Sequence, residues 1–292
     1  MWSVASLPDA PGKTLVITGA NSGIGWEAAR MCAEKGGQVV MACRSPERAQ
    51  DALDRLRARV PSAKVELARL DLASLASIRA CAEDLRARFP HIDVLVNNAG
   101  IMAIPRTLTE DGFEMQLGTN HLGHFALTGL LHDRVTRVVN VSSGVHWGGS
   151  IDFDDPMGEK RYQKWAAYAQ SKLANLLFTA EANRRHPAIV SVACHPGYAS
   201  TNLQGVGPKM EKSTFGTAFF ALGNGLLAQP AFMGAWPTVH AALADVRAGE
   251  LYGPFFFGFG WPRADIQAPA AKDPATAARL WEWSVEQTKV RW

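Results

Sequence analysis

Tyr168 and Lys172 form a pair whose residue types and spacing could do chemistry. In the stretch YAQSK the lysine follows the tyrosine by four positions, which places both side chains on one face of a helix. A free phenol has a pKa near ~10 and exchanges protons poorly at neutral pH. Because a nearby ammonium would favour the phenolate, the spacing predicts that Tyr168 acts as a general acid or base. The same spacing occurs by chance in many helices, so its neighbours matter.

Two further polar residues could complete this site. Ser143 ends the apolar run VVNVSS, where its hydroxyl could donate to a developing oxyanion, although a serine at a strand end is more often only a turn former. Asn120 lies inside a predicted helix, and asparagine is a poor helix former. We expect a local kink there, with a water bound to the Asn120 carbonyl that connects Lys172 to solvent as a proton relay.

The stretch TGANSGIG is typical of a loop that binds a pyrophosphate. Its glycines let the backbone turn tightly and approach an anion without an intervening Cβ. Free N–H groups at the start of the next helix would face that anion. Many strand-to-helix loops need glycine for geometry alone, but this loop follows the first strand of the chain. Its predicted cofactor contacts are Gly19, Asn21, Ser22, Gly23, Ile24 and Gly25.

The end of the second predicted strand, VVMACRSPER, indicates which nicotinamide cofactor is bound. In NAD-specific folds an acidic residue ~20 positions past the glycines binds the ribose 2′-hydroxyl. Cys43 and Arg44 stand there instead, and an arginine can neutralise a 2′-phosphate that a carboxylate would repel. We therefore predict NADP(H) in preference to NAD(H), with Arg48 able to assist; a solvated surface arginine is the alternative. Asp71 could accept from the adenine amino group or cap a helix.

Two more motifs follow predicted strands. In NNAG the asparagine amides can tie neighbouring strands while Gly100 makes room for adenosine, and in HPGYAST Pro196 and Gly197 would wall the nicotinamide. Thr201 could reach the nicotinamide amide or a phosphate. The remaining predicted cofactor contacts are Asp71, Leu72, Asn98, Ala99, Gly100, Tyr168, Lys172, Pro196, Gly197 and Thr201.

The elements that must position these residues alternate from Lys13 to about His195. Apolar runs predict strands at 14–18, 38–42, 64–70, 93–97, 137–141 and 189–194, and helical spacing covers 46–59, 74–88, 113–131 and a segment starting near Lys160. Strands this apolar are buried on both faces and need helical crossovers. The pattern predicts an α/β fold: a single-domain, Rossmann-type, doubly wound parallel sheet with helices on both faces. Its ligands would lie at the carboxyl ends of the strands, where each motif falls.

Composition argues against several other classes of protein. The 292 residues, 47% of them hydrophobic, suffice for one sizeable core, and a net charge of +3 does not suggest a nucleic-acid partner. The four cysteines are far apart without a CxxC pair, which argues against zinc and a disulfide framework and fits a reducing compartment. No signal peptide or long apolar span is visible, so we expect a cytoplasmic protein without a metal or a membrane span.

As a set, TGxxxGxG, NNAG, the helix asparagine, the serine, YxxxK and PG resemble the short-chain dehydrogenase/reductase family, from about Lys13 to Leu203. The resemblance implies hydride transfer between a nicotinamide and a carbonyl or alcohol carbon, at a site of Asn120, Ser143, Tyr168 and Lys172. It also implies a possible homodimer or homotetramer. Within the family, ACRSPERA and DGFEMQLGTNHLGHFALT are similar to the retinol dehydrogenase and WW-domain oxidoreductase branch. The chain departs from that branch in a short connection, LLHDRVTR, and in showing no N-terminal anchor, which puts a retinoid substrate in doubt.

The domain is predicted to consist of a cofactor-binding and catalytic core (13–200), a substrate-binding lid region (201–265) and a C-terminal helix (266–292). The lid region is rich in Gly, Phe, Trp and Met, and LYGPFFFGFGWP predicts a last short strand and a loop. Aromatic clusters usually form core, but glycine-separated aromatics over a site suggest a mobile apolar lid. We therefore predict a lipophilic substrate. A non-catalytic NADP(H)-binding redox sensor is the alternative, and an α/β hydrolase is excluded because no GxSxG occurs.

Overall fold

The strands of this chain form one sheet. The computed structural model describes residues 2–197, 229–256 and 259–292. Within them, eight strands lie in the order β3-β2-β1-β4-β5-β6-β7-β8. Neighbours pair in parallel except β7 and β8, which are antiparallel. The strands are β1 (Thr14–Thr18), β2 (Gln38–Cys43), β3 (Lys64–Arg69), β4 (Ile92–Asn97), β5 (Val135–Val141), β6 (Val190–Cys194), β7 (Leu251–Phe256) and β8 (Phe259–Asp265).

Helices cover both faces of the sheet. They are α1 (Gly23–Glu34), α2 (Pro46–Arg59), α3 (Leu75–Arg88), α4 (Met115–Leu117), α5 (Gly123–Leu131), α6 (Lys164–Arg185), α7 (Ala231–Gly234), α8 (Trp236–Leu243) and α9 (Pro274–Thr288). Successive strand residues point to opposite faces: Leu15 and Ile17 join the apolar cluster beneath α1, α2 and α8, whereas Val16 joins the cluster beneath α3 and α5. Burial on both faces explains why the strand sequences are so uniformly apolar.

The predicted doubly wound α/β fold is confirmed, with the six predicted strands reproduced to within two residues at each end. The predicted helix at 113–131 is interrupted: α4 and α5 are joined by a π-helical turn, Gly118–Leu122, which contains Asn120. Helix α6 begins at Lys164 rather than near Lys160. Helix α9 packs against α6 through the buried Leu280, Trp281 and Val285.

The end of the sheet differs from the prediction. A last short strand followed by a loop was expected, but Phe259–Asp265 is a second strand that turns the segment into a β7–β8 hairpin. Strand β7 pairs with β6 only through Leu251 and Tyr252. Beyond that point Pro254 faces Pro262 across the hairpin. Since β6 and β7 run in parallel, the hairpin extends past the carboxyl end of β6.

Candidate active site

The carboxyl ends of β1, β4, β5 and β6 surround a cleft in which the predicted motifs meet. The glycine loop forms one wall, NNAG the floor, and α6 together with the turn after β6 the opposite wall. The lining residues are Ser22, Gly23, Ile24, Gly25, Asn98, Ala99, Gly100, Val141, Ser142, Tyr168, Lys172 and Pro196. Ten of these twelve residues were predicted from sequence; Val141 and Ser142 were not assigned to the site.

The glycine loop is packed so tightly that side chains would not fit. Gly19 has φ of 67°, and a Cβ there would lie 2.9 Å from the Cα of Ala99. A Cβ on Gly25 would lie 2.5 Å from both the Asn98 amide nitrogen and the Gly19 oxygen. Ser22 precedes α1 but makes no side-chain hydrogen bond to its first turn. The first N–H groups of α1 therefore have no side-chain cap, as expected of a turn that receives an anion.

Thr18 joins this loop to NNAG, a role that the sequence analysis missed. Its hydroxyl accepts hydrogen bonds from the backbone N–H groups of Asn98 and Ala99, both at 2.9 Å. The Asn98 side chain donates to the Thr18 carbonyl at 2.8 Å, and that of Asn97 donates to Asn140 on β5 at 2.8 Å. The amides thus tie three neighbouring strands, as the motif indicated. A hydroxyl residue directly before the glycines is the signal that could have identified Thr18.

Asn120 is fully buried in the π-helical turn, and its side chain is occupied by other protein groups. Its amide nitrogen donates to the Ile101 carbonyl and the Ser171 hydroxyl, each at 2.9 Å, and its side-chain oxygen accepts from the Ile101 N–H at 2.9 Å. The irregular helix agrees with the expected kink. The Asn120 carbonyl oxygen lies 3.0 Å from Nδ1 of His124. Because a carbonyl can only accept, Nδ1 of His124 carries the proton and donates to Asn120. Nε2 of His124 lies 3.0 Å from the Thr18 hydroxyl, which also lies 3.3 Å from the Val96 carbonyl oxygen.

Lys172 lies one helical turn from Tyr168, with its ammonium 5.8 Å from the phenol ring centre. Among the described residues this ammonium donates one hydrogen bond, to the Val141 carbonyl at 3.0 Å. A Cβ on Gly100 would lie 3.5 Å from the ammonium and 3.1 Å from the Asn120 side-chain oxygen, so these three residues adjoin. An ammonium has three donors, and those remaining suit the hydroxyls of a ribose. The residues present therefore fit a nicotinamide cofactor.

Burial dominates the ionisation of both groups. It raises the pKa of Tyr168 to about 12, while a hydrogen bond with the Ser143 hydroxyl acts in the opposite direction. It lowers the pKa of Lys172 to about 8. Among the protein's own groups desolvation has the largest effect on the phenol, and stabilisation of the phenolate by the ammonium and an oxidised nicotinamide stays a prediction. A buried phenol is consequently kept protonated at neutral pH.

Arg44 and Asp71 follow β2 and β3 at the carboxyl edge of the sheet, outside the lining of the cleft, and we call this region the outer end of the predicted cofactor site. The Arg44 side chain is 74% exposed, and its Nε lies 4.0 Å from the Asp71 carboxylate. The other Asp71 oxygen accepts from the Ala73 N–H at 3.0 Å, which closes a local turn. Asp71 is not the helix cap of the alternative interpretation, because Ser74 caps α3 by accepting from the Ser77 N–H. Leu72 is buried, with its carbonyl directly against Gly123. Arg55, which was not predicted, donates to the Asn21 carbonyl at 3.2 Å.

The turn after β6 contributes Pro196 to the cleft wall and Gly197, which has φ of 65°. Thr201 and the first part of the predicted lid, 201–228, lie outside the described residues. In the described part of that region Leu251 and Tyr252 are buried, whereas Phe255, Phe259 and Trp261 are 37–43% exposed on the hairpin. The aromatic segment thus contributes both core and surface.

The family model of the short-chain dehydrogenases matches residues 13–212. Together with the sheet order and the cleft, this match shows that the chain belongs to the short-chain dehydrogenase family. It is therefore an oxidoreductase of a family that binds nicotinamide cofactors. The resemblance drawn from TGxxxGxG, NNAG and YxxxK is confirmed.

Retinol dehydrogenases are among its most similar relatives. Human retinol dehydrogenase 13 is 41% identical over 93% of this chain and 83% of its own length. Human retinol dehydrogenase 12 is 40% identical over 97% of this chain and 88% of its own length. The crystal structure of an uncharacterized protein from Mycobacterium paratuberculosis is 42% identical, with a TM-score of 0.82 covering 99% of this chain and 98% of that one. The predicted similarity to the retinol dehydrogenase branch is confirmed. In the part of the chain that the structure describes, no helix is both long and apolar enough to cross a lipid bilayer.

Proposed function

We propose that this chain is an NADP(H)-dependent oxidoreductase that interconverts a lipophilic aldehyde or ketone and the corresponding alcohol. The observation that carries the proposal is the convergence of Tyr168, Lys172 and the glycine loop on one cleft. When bound there, the nicotinamide would supply or accept the hydride. The glycine loop, the NNAG motif and Lys172 would hold the cofactor.

Ser143 and Tyr168 would act on the substrate oxygen, by hydrogen bonding and by proton transfer. During carbonyl reduction the Ser143 hydroxyl donates a hydrogen bond to that oxygen, and Tyr168 transfers its phenolic proton to it. The pKa of Tyr168, raised to about 12 by burial, suits a group that must arrive protonated. Alcohol oxidation reverses the transfer and requires the phenolate, which a neighbouring ammonium favours. Asn120 contributes by position, since its side chain holds Ile101 and Ser171 rather than facing a ligand.

The preference for NADP(H) is supported by the exposed guanidinium of Arg44 at the end of β2. A 2′-phosphate could displace its 4.0 Å contact with Asp71, which is too long for a strong ion pair. Arg48, in the first turn of α2, lies close enough in sequence to assist. An arginine recognises a phosphate through charge and paired N–H donors.

A lipophilic substrate is supported by aromatic side chains around the catalytic groups. Trp165 lies with its ring centre 6.4 Å from that of Tyr168, and Trp147, 55% exposed, follows Ser143 on the adjoining turn. The relatives that match most of this chain carry the name retinol dehydrogenase, and retinol is an apolar alcohol. Exposed tryptophans at a reacting centre favour apolar ligands because their large surfaces gain most from desolvation.

Cofactor titration followed by a substrate panel tests this proposal. The purified protein is titrated with NADPH and NADH by fluorescence, then assayed with retinal, decanal and glyceraldehyde at the NADPH absorbance band. We expect tighter binding of NADPH and faster turnover of the two apolar aldehydes. Tighter binding of NADH would contradict the role of Arg44, and preference for glyceraldehyde would contradict the apolar site. Binding of NADPH without turnover of any alcohol or aldehyde would favour a redox sensor.

A further inference from the structure

His195, Asp265 and Gly197 form a hydrogen-bonded chain beside the cleft. Nε2 of His195 lies 2.7 Å from the Asp265 carboxylate, and the Gly197 N–H donates to Nδ1 of His195 at 3.2 Å. Because a backbone N–H can only donate, Nδ1 must carry no proton. The imidazole proton therefore resides on Nε2 and points to Asp265. Two opposed partners thus select one neutral tautomer of this histidine.

Space for the pair is provided by Gly253 on β7. A Cβ at that position would lie 2.2 Å from Nε2 of His195 and 2.6 Å from the Asp265 carboxylate oxygen. Any side chain would therefore force the two groups apart. The His195 side chain is only 10% exposed and that of Asp265 is 26% exposed, so water competes weakly for their hydrogen bond.

These hydrogen bonds hold the turn after β6, which forms part of the cleft wall. Pro196 lines the cleft with Tyr168 and Lys172, and its carbonyl accepts from the Gln229 side chain at 2.6 Å. The N–H of the next residue, Gly197, is the group that His195 binds. Both polar groups of the Pro196–Gly197 peptide are thus held by side chains, while neither His195 nor Asp265 is among the described residues that line the cleft.

Few ionisable groups act on this pair. Among the described residues, β8 contributes Asp265 and Arg263, and the 3-10 helix Gly144–Gly148 contributes His146. Nδ1 of His146 lies 2.7 Å from the Ser143 carbonyl, and its Nε2 accepts from the Ala268 N–H at 3.2 Å. An imidazole that donates at one nitrogen and accepts at the other is neutral, and burial lowers the pKa of His146 in the same sense. Strand β7 contributes Gly253, which has no side chain.

We infer that Asp265 and His195 are positioning residues for the nicotinamide half of the cofactor. Asp265 selects the tautomer, and His195 holds the Gly197 N–H so that the turn presents Pro196 to the cleft. The inference rests on the proposed function, because it requires a nicotinamide in this cleft. It assigns no role to the pair in binding the adenosine half, which lies toward Arg44.

Two isosteric substitutions separate the two hydrogen bonds of His195. Asparagine places its side-chain oxygen near Nδ1, where it can accept from the N–H two residues on, as in an Asx turn. Glutamine places its amide nitrogen near Nε2, where it can donate to Asp265 but cannot serve Gly197. His195→Asn should therefore keep the turn, whereas His195→Gln should lose it. Asp265→Asn removes the control of the tautomer while keeping the shape.

The experiment measures, at one fixed pH, the dissociation constants of NADPH and of 2′-phospho-ADP-ribose, which lacks the nicotinamide. Dividing one constant by the other removes the contribution of the 2′-phosphate, which both ligands share. We expect the dissociation constant of NADPH, divided by that of 2′-phospho-ADP-ribose, to rise about tenfold in His195→Gln and Asp265→Asn, as loss of one buried hydrogen bond would give. In His195→Asn the ratio should stay close to that of the wild type, because the acceptor for the Gly197 N–H is kept.

Equal ratios in the wild type and all three variants would overturn the inference. The inference would also be overturned if the variants bound both ligands more weakly by the same factor and had a lower thermal midpoint, since that pattern indicates a purely structural pair. Failure of the wild type to bind NADPH at all would instead count against the proposed function. The two proposals therefore fail in different measurements.

Discussion

The two ends of the predicted cofactor site hold their polar side chains very differently. At the inner end, Asn120 is fully buried and makes three hydrogen bonds of 2.9 Å, and Lys172 is 4% exposed. At the outer end, Arg44 is 74% exposed and its nearest carboxylate oxygen is 4.0 Å away. The inner groups are fixed by the fold, whereas Arg44 is free to reorganise around a ligand.

This difference separates chemistry from cofactor choice. Proton transfer requires atoms held in place before the substrate arrives, and only buried, fully bonded side chains provide that. Recognition of a phosphate needs charge and can pay for ordering one surface side chain when the ligand binds. We therefore expect changes at the inner end to reduce rate strongly and changes at the outer end to alter cofactor preference with little effect on stability.

Removal of the Tyr168 hydroxyl should give the largest effect. In Tyr168→Phe we expect kcat to fall ~10²- to 10⁴-fold, the range of general acid catalysis, with NADPH binding retained. Steady-state kinetics and a binding titration measure both. Tyr162→Phe is the matched control, because the Tyr162 hydroxyl binds the Ile104 carbonyl and the buried Glu114 outside the cleft. That control should lower stability but leave kcat nearly unchanged; similar rates in both variants would contradict the assignment.

Two adjacent serines give the next test. Ser143→Ala should lower kcat ~10²- to 10³-fold, as loss of an oxyanion donor does. Its free energy of unfolding should fall only slightly, because the Ser143 hydroxyl accepts from the Val145 N–H at the long distance of 3.5 Å. Ser142 is buried and donates to the Lys172 carbonyl at 2.8 Å, so Ser142→Ala should instead cost about 1 kcal/mol of stability. Kinetics and denaturant unfolding on both variants check this contrast, and a reversed pattern would show that the oxyanion donor has been assigned to the wrong serine.

Arg44→Asp should change cofactor preference at the outer end. We expect the affinity for NADPH relative to NADH to fall ~10- to 100-fold, which corresponds to losing charge-assisted hydrogen bonds. The thermal midpoint should stay the same because the side chain is 74% exposed. Arg59→Asp, an exposed change at the far end of α2, is the control and should leave the preference intact. An unchanged ratio in Arg44→Asp would mean that the phosphate is recognised elsewhere.

The pH dependence of cofactor binding should show the smallest effect. Burial lowers the pKa of Lys172 to about 8, so its ammonium is charged below that pH and neutral above it. The affinity of the wild type for NADPH should therefore weaken as the pH rises through about 8, by about tenfold for a lost charged hydrogen bond. Lys172→Met should bind weakly without this alkaline change, whereas Lys64→Met, on the exposed edge strand, should behave as the wild type. A titration that is flat in the wild type would exclude this role.

Local patterns predicted most of the fold and of the cleft. Strands buried on both faces have nearly unbroken apolar sequences, and glycines at Gly19 and Gly25 are required by close backbone contacts. Strand β8 was not predicted because Gly260 and Pro262 disfavour a strand when considered alone. Its pairing with β7 is a tertiary contact, and such contacts override local preference.

Long-range polar contacts were the other omission. His195 and Asp265 are separated by 70 positions, and neither the spacing nor the neighbours of either residue indicate the partner. His124 and Thr18, 106 positions apart, are a second example. The burial of Tyr168 is a related case. Spacing predicted the neighbouring charge, but the depth of burial depends on the whole fold.

The facing prolines of the β7–β8 hairpin affect whether the edge of this sheet can pair with a strand of a second molecule. A proline has no N–H to give, so two of them can oppose each other without loss only at a non-hydrogen-bonded pair, where their nitrogens point outward. On β7 the missing donor coincides with the end of pairing to β6 after Tyr252. On β8 it interrupts the outer rim of the sheet at Pro262, next to the charged Arg263. A strand from a second molecule would meet a gap in the hydrogen-bonding ladder there, which opposes edge-to-edge polymerisation.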